Sequence, residues 1–298
     1  MSENPQTNVP AHSDAADAGW TTVITPHRGW LDWRLKQLWR YRDLISLFVW
    51  RDFVSVYKQT ILGPLWHVIQ PLLTTIIFTV MFGRIAKLST DGVPAFLFYL
   101  SGNVVWSYFS NNINKTSTTF VGNANLLGKV YFHRLVIPIS IAISNLISFA
   151  IQLGIFLVFL ALYLSGIIKG APVHLTGWVF CTPLFLLMVA GYGLGGGIIV
   201  SALTTRYRDL TNLVAFGVQL LMFTSAVIFP MSSVPDKDKW ILLCNPLVPI
   251  VEGFRRGFLG TGDVTVAQLG ISFGIMILVL GIGVTLFTHV EKTFMDTV

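Results

Sequence analysis

Charge is what this chain has least of. Only 11% of its 298 residues are Asp, Glu, Lys or Arg, against 53% hydrophobic, whereas soluble domains carry about a quarter charged residues. That deficit excludes an ordinary soluble globule and indicates an all-α polytopic membrane protein. Cysteine is scarce too. Cys181 and Cys244 form no CxxC pair and cannot supply a four-ligand metal site; they are either a disulfide toward the outer face or two unrelated apolar packers. Residues 1 to 27 hold no apolar core of the kind a secretory signal requires and are rich in Ser, Asp, Asn, Pro and Ala. They are expected to form a disordered cytoplasmic tail.

Long hydrophobic runs, by contrast, recur along the chain. A hydrocarbon core of roughly 30 Å needs about 20 helical residues, and that length picks out six spans: 64 to 83, 94 to 113, 136 to 164, 177 to 200, 210 to 230 and 265 to 287. The second is diluted by Asn103, Asn111 and Asn112. Thirteen of the twenty Lys and Arg residues fall on one side when the N-terminus is placed inside, so both termini are expected to be cytoplasmic. The net charge of +6 is then the orientation signal of a membrane chain rather than a nucleic-acid footprint.

The six spans contain no Asp, Glu, Lys or Arg, and one His, His67. A mid-bilayer charge costs roughly 2.5 to 3.5 kcal/mol, so proton carriers keep one because their mechanism needs it. A proton-coupled pump is disfavoured. No energy-converting site is present either: GNANLLGKV (122 to 130) has five residues between its glycines where a phosphate-binding loop has four, and Val where Ser or Thr should bind magnesium. The cluster GYGLGGG (191 to 197) lies inside a span without a preceding strand, so it is no dinucleotide site. Its two GxxxG pairs, and Gly270 with Gly274, are packing signals within or between subunits.

Four stretches carry the remaining information. RDFVSVYKQTILGPLWHVIQP (51 to 71) passes from charged to apolar through Gly63-Pro64, and Pro64 suits the first turn of a helix. This is an elbow where a surface-lying chain enters the bilayer. Before it, Trp30 to Asp43 is amphipathic, lying either in the headgroup plane or on protein. The loop 114 to 134 is where a partner could push, through an amphipathic piece from Asn125 to Arg134 with Leu126, Leu127, Val130 and Tyr131 to dock and Lys129, His133 and Arg134 for charged contacts. Finally, WILLCNPLVPIVEGFRRGFLG (240 to 260) is too short to cross and is cut by Asn245-Pro246 and Pro249, so it reads as a re-entrant hairpin at the outer mouth. An ordinary outer loop is the alternative.

Taken with Tyr207-Arg208-Asp209, the pairs Arg51-Asp52, Tyr57-Lys58, Leu62-Gly63, Leu65-Trp66, Gln70-Pro71 and Asn245-Pro246 and the loop Asn123 to Pro138 make the chain, over roughly 30 to 290, resemble the membrane subunit of type-2 ABC exporters for polysaccharides. These include O-antigen, capsule and teichoic acid permeases of the Wzm, KpsM and TagG kind. The resemblance implies a homodimer in the bacterial inner membrane, moving a lipid-linked polysaccharide outward. ATP and magnesium would sit in a separate nucleotide-binding subunit, with no cofactor and no enzymatic activity in this chain. It divides the chain into a tail (1 to 27), an interface helix and elbow (28 to 62), a six-span domain (63 to 290) and a cytoplasmic end (291 to 298).

On the same resemblance, Asn125, Leu126, Lys129, Tyr131, His133 and Arg134 couple to the ATPase, while Arg51, Asp52, Tyr57, Lys58, Gly63 and Trp66 form the elbow. Asn245, Pro246, Glu252, Arg255 and Arg256 belong to an outer gate hairpin, 231 to 262, in which Glu252 should contact Arg255 or Arg256 one helical turn away. A passing glycan needs stacking surfaces and amide partners. Tyr99, Asn103, Trp106 and Tyr108, with Trp66, Phe98, Phe109 and Asn111, are candidates, although aromatics in spans also serve as anchors and packing. Arg28, Arg34, Arg40 and Arg42 could attract a polyprenyl pyrophosphate or anionic lipid. Two other readings stay open: a small-lipid or drug exporter of the same architecture, and a membrane-embedded glycan-modifying enzyme.

Overall fold

A computed structural model describes residues 35 to 58, 63 to 123, 126, 129 to 130, 132 to 204 and 209 to 294. The expected tail, Trp30, Trp33, Asn125, Leu127, Tyr131 and Tyr207-Arg208 lie outside the described residues, and of Tyr57, Lys58 and Pro64 only the backbone is described. Every regular element among the described residues is helical.

A short α1 (Leu35–Arg40) leads into α2 (Arg42–Lys58), one helix of 17 residues. The surface helix therefore extends well past the 30 to 43 segment that its amphipathic pattern marks. After a tight turn at Gly63–Leu65, α3 (Trp66–Phe78) continues into a wide-turn segment, Thr79–Ile85. Pro71 sits inside α3, and its carbonyl accepts from the Thr75 hydroxyl at 2.7 Å and from Asn103 Nδ2 at 3.3 Å. Asn103 thereby ties the next long helix to this backbone.

The next long helix, α4 (Ala95–Ser117), is the axis of the bundle, packed against α3 and against four helices that follow it. It is followed by the single turn α5 (Thr119–Gly122), then α6 (Val136–Leu164) and α7 (Thr182–Thr204), the latter preceded by a turn at Gly177–Cys181. Pro138 falls in the first turn of α6, where its missing donor costs nothing. Among the described residues four helical stretches are long and apolar enough to cross a membrane: Trp66–Ile85, Val136–Leu164, Gly177–Thr204 and Val266–His289. α4 is equally long but more polar. Because neighbouring helices rather than lipid surround it, its asparagines meet protein partners.

Glycine decides how closely α7 packs. A β-carbon on Gly193 or Gly197 would lie 2.5 Å from the β-carbons of Asn112 and Thr116 on α4, and one on Gly195 would lie 2.9 Å from the Leu280 backbone. The two GxxxG pairs therefore serve opposite neighbours, α4 through Gly193 and Gly197, and the last helix, α11 (Val266–Phe294), through Gly191 and Gly195.

The fifth span departs from expectation. α8 (Leu210–Phe223) has 14 residues, about 21 Å at the usual rise and short of the hydrocarbon core. From 224 to 230 the backbone is irregular, with Ser225, Ala226, Val227 and Ile228 buried and Ala226 at φ 54°. A hairpin follows, made of α9 (Lys239–Leu243) and α10 (Val248–Leu259). Pro249 fits the first turn of α10, and Gly260, at φ 76°, ends it.

Candidate gate hairpin, coupling surface and elbow

At the hairpin end of the bundle, α10 carries two arginines in succession with different fates. Arg255 is 1% exposed and Glu252 fully buried, and Arg255 Nη1 lies 3.3 Å from Glu252 Oε1. The expected pair is therefore made with Arg255. The same guanidinium donates to the Ala226 carbonyl and, at 2.8 Å, to that of Val227, and it stacks on the Phe98 ring at 3.6 Å. Those carbonyls belong to the irregular segment after α8. Backbone without helical partners survives at membrane depth only when protein satisfies it, and Arg255 does so here.

Glu252 faces the opposite way as well. Its two carboxylate oxygens accept from the backbone amides of Met231 (3.3 Å) and Asp263 (3.1 Å), the two ends of the hairpin. Burial pushes its carboxyl up, against the downward pull of Arg255 and these amides. Gly102 on α4 makes the arrangement possible: a β-carbon there would come 2.8 Å from Arg255 Nη2.

Asn245 is the second tie. Its Nδ2 donates to Ser225 Oγ (2.8 Å) and the Thr224 carbonyl (3.1 Å), while Oδ1 accepts from the Leu247 amide (3.0 Å). The carbonyl of Pro246 accepts from Ser272 on α11 at 2.6 Å. Arg256 points elsewhere, donating to the Val264 carbonyl at 2.6 Å and stacking over Trp178 at 4.9 Å. On the outer surface of the hairpin, Lys239 bridges Asp236 (2.9 Å) and Asp263 (3.3 Å), and those hydrogen bonds hold its ammonium above the usual lysine range. Cys181 and Cys244 are both free thiols.

The channel candidates lie inside the packing of the chain itself. Tyr99, Asn103, Trp106 and Tyr108 are all buried within this one chain. Tyr99 is ringed by Phe78, Phe82 and Phe98, Trp106 packs on Phe109, and the Tyr108 hydroxyl donates to the Ala142 carbonyl at 3.3 Å. Asn103 is engaged with Pro71. Residues so enclosed hold helices together, and in this conformation none presents a surface to a passing molecule.

At the opposite end of the bundle, α2 packs along α6. Arg51 pairs with Asp52 at 2.8 Å and lies over the Phe48 ring at 4.7 Å, Gly63 is buried at φ 38°, and Trp66 is half exposed. Asp52, His67, Lys115, Ser144 and Ser148 line a cavity of about 30 Å³. Lys115 falls on α4, which runs four residues past the expected end of the second span at 113. Its ammonium donates to Asn145 Oδ1 at 2.9 Å, and Asn145 Nδ2 donates to Asn112 Oδ1 at 2.7 Å. This chain links α4 to α6. The asparagines that dilute the second span were its sequence signal.

In the coupling segment Leu126 O accepts from the amides of Lys129 (3.2 Å) and Val130 (3.1 Å), and a bend follows at Phe132. Leu126 packs against the cluster of Phe48, Phe120, Phe132 and Phe287. Lys129 and Val130 are exposed, His133 is half-buried, and its Nδ1 accepts from the Leu135 amide at 3.4 Å. Arg134 is buried rather than displayed. Phe48 of α2 and Phe132 of the loop meet edge to face at 5.9 Å, so the surface helix and the loop share one apolar cluster.

The chain is 26% identical over 254 residues, 85% of its own length and 94% of the relative's, to the O-antigen export system permease protein RfbA of Klebsiella pneumoniae. A protein of the same description from Myxococcus xanthus is 26% identical over 75% of this chain and 83% of that one. The capsule polysaccharide export inner-membrane protein CtrC of Neisseria meningitidis serogroup B is 22% identical over 75% and 82%. The family profile described as ABC-2 type transporter matches residues 43–259, which contain the elbow, the coupling loop and the Glu252–Arg255 hairpin. The chain is a multi-pass membrane protein that belongs to the ABC-2 type transporter family.

Proposed function

We propose that this chain is the permease subunit of an ATP-driven exporter that moves a lipid-linked polysaccharide, O-antigen in the first place, from the cytoplasmic to the outer face of the inner membrane. The observation that carries the reading is the match to O-antigen export permeases across 94% of the relative's length. Charge placement supports it. Among the described residues the helical segments long and apolar enough to cross carry Arg84 near one end and no other Asp, Glu, Lys or Arg before His289, so no relay of titrating groups runs through them.

In this reading two copies form the conduit and a separate nucleotide-binding subunit hydrolyses ATP. The subunit presses on Leu126, Lys129 and His133, and the shared cluster of Phe48, Phe120, Phe132 and Phe287 passes that push to α2 and to the ends of α6 and α11. At the far end the hairpin, held by Arg255 and Asn245, is the outer gate. A groove of about 500 Å³ between α2 and α6, lined by Trp39, Arg42 and Ile143 among others, offers a cation beside apolar walls where a lipid-linked phosphate would first meet the chain.

The test is complementation. In a strain lacking its own O-antigen permease, this chain co-expressed with its ATPase partner should restore surface glycan. Intracellular glycan that still accumulates with both proteins present at normal levels would remove polysaccharide as the cargo.

A further inference from the structure

Gly270 and Gly274 on α11 repeat the GxxxG spacing, yet a β-carbon on either meets nothing within 4 Å. They do not serve the internal packing that the α7 glycines serve. Gly270 instead lies in a groove of about 780 Å³ between the starts of α7 and α11, walled by Trp178, Leu184, Met188, Leu269 and Phe273. Small-molecule sites range over about 300 to 1,000 Å³ and are mostly apolar with few polar groups, and this groove fits that description.

One cation lies beside a wall residue of the groove, Trp178. Arg256 stacks over Trp178, and among the described residues its only side-chain hydrogen bond is the one from Nη1 to the Val264 carbonyl. No carboxylate among the described residues pairs with it, in contrast to its neighbour Arg255. A planar guanidinium with an edge unspent is suited to a phosphate, and Trp at the end of a span marks the headgroup level. The charge and the apolar volume together complement an amphiphile with an anionic head.

We propose that this groove holds an anionic phospholipid of the bilayer, its acyl chain against Gly270 and Met188 and its headgroup phosphate on Arg256. The inference stands whatever the exported cargo is.

The test uses the full chain in phosphatidylcholine nanodiscs doped with a photoactivatable phosphatidylglycerol or its phosphatidylcholine twin, with adducts mapped by peptide mass spectrometry. Adducts should fall within 178 to 188 and 266 to 273, favouring phosphatidylglycerol about fivefold, the size of effect one basic residue gives at an anionic surface. Arg256→Gln should bring that ratio near one. Gly270→Phe, which enters open space, should remove labelling by both probes without lowering the unfolding temperature. Equal labelling of the parental chain by the two probes would overturn the proposal even if a variant failed to fold. So would unchanged labelling of Gly270→Phe, a cross-link between two copies at this groove, or displacement of the probe by polyprenyl phosphate at lower concentration than by unlabelled phosphatidylglycerol.

Discussion

Arg255 Nη2 donates to the carbonyl of Val227 at 2.8 Å, tying α10 to backbone 28 residues earlier in the chain. Replacing Arg255 with Met strands two carbonyls and leaves the buried Glu252 carboxylate without its cation, held only by the Met231 and Asp263 amides. Breaking a buried pair from one side costs about 3 to 5 kcal/mol. Arg255→Met should therefore lower the denaturant midpoint of the detergent-solubilised chain strongly. Glu252→Gln, which keeps one acceptor oxygen for either the Met231 or the Asp263 amide and turns an NH2 toward the other, should lower it less. Equal midpoints for the parent and Arg255→Met would show that the guanidinium does not hold this segment.

The glycines of α7 and α11 should behave in opposite ways. Gly195→Ala places a β-carbon 2.9 Å from the Leu280 backbone, which cannot yield as a flexible side chain would. Overpacking of this kind costs about 1 to 3 kcal/mol. Gly274→Ala enters open space and gains helix propensity, up to about 1 kcal/mol. Thermal unfolding of the two variants should move in opposite directions, and a shared direction would contradict the contact assignment.

How far the sequence announced this fold depends on which physical quantity a residue reports. Hydropathy reads lipid contact well, so the interval 136 to 164 coincides with α6, which is predominantly apolar and carries no charged residue. It misjudges α4, because Asn112 and Lys115 are balanced by Asn145 on another helix rather than by water. It also counts 210 to 230 as one span, since Ala226, Val227 and Ile228 are apolar. Hydropathy does not register that the helix stops at Phe223, because the group that satisfies the broken backbone lies on Arg255, far along the chain. That Glu252 pairs with Arg255 or Arg256 was legible from their helical spacing, and the structure selects Arg255. The enclosure of Tyr99, Trp106 and Tyr108 was not, as an aromatic in a span reads the same whether it faces a lumen or a neighbour.

The Lys115–Asn145–Asn112 chain makes a non-additivity prediction. Asn145→Leu alone leaves the ammonium without its carboxamide acceptor and should destabilise by about 1 to 3 kcal/mol, the cost of an unmade buried hydrogen bond. Adding Lys115→Met removes the stranded charge, so the double variant should be more stable than Asn145→Leu by itself. Additive losses in chemical denaturation would mean the groups do not interact.

Lys129 and Arg134 should separate by exposure. Lys129→Glu reverses a displayed charge and should leave folding intact while reducing stimulation of the partner's ATPase by cargo. Arg134→Glu buries the wrong charge and should reduce the amount of folded protein recovered. Size-exclusion profiles and ATPase rates, measured side by side, check both. A fully coupled Lys129→Glu complex would place the contact elsewhere on the loop.

In the proposed function, motion is imposed from outside this chain. Purified permease should be reconstituted in sealed vesicles with and without its ATPase partner, and fluorescent lipid-linked glycan followed across the membrane. Movement is predicted to require both the partner and ATP, with no response to a proton or sodium gradient. Uphill movement by the permease alone, driven by either gradient, would contradict the account.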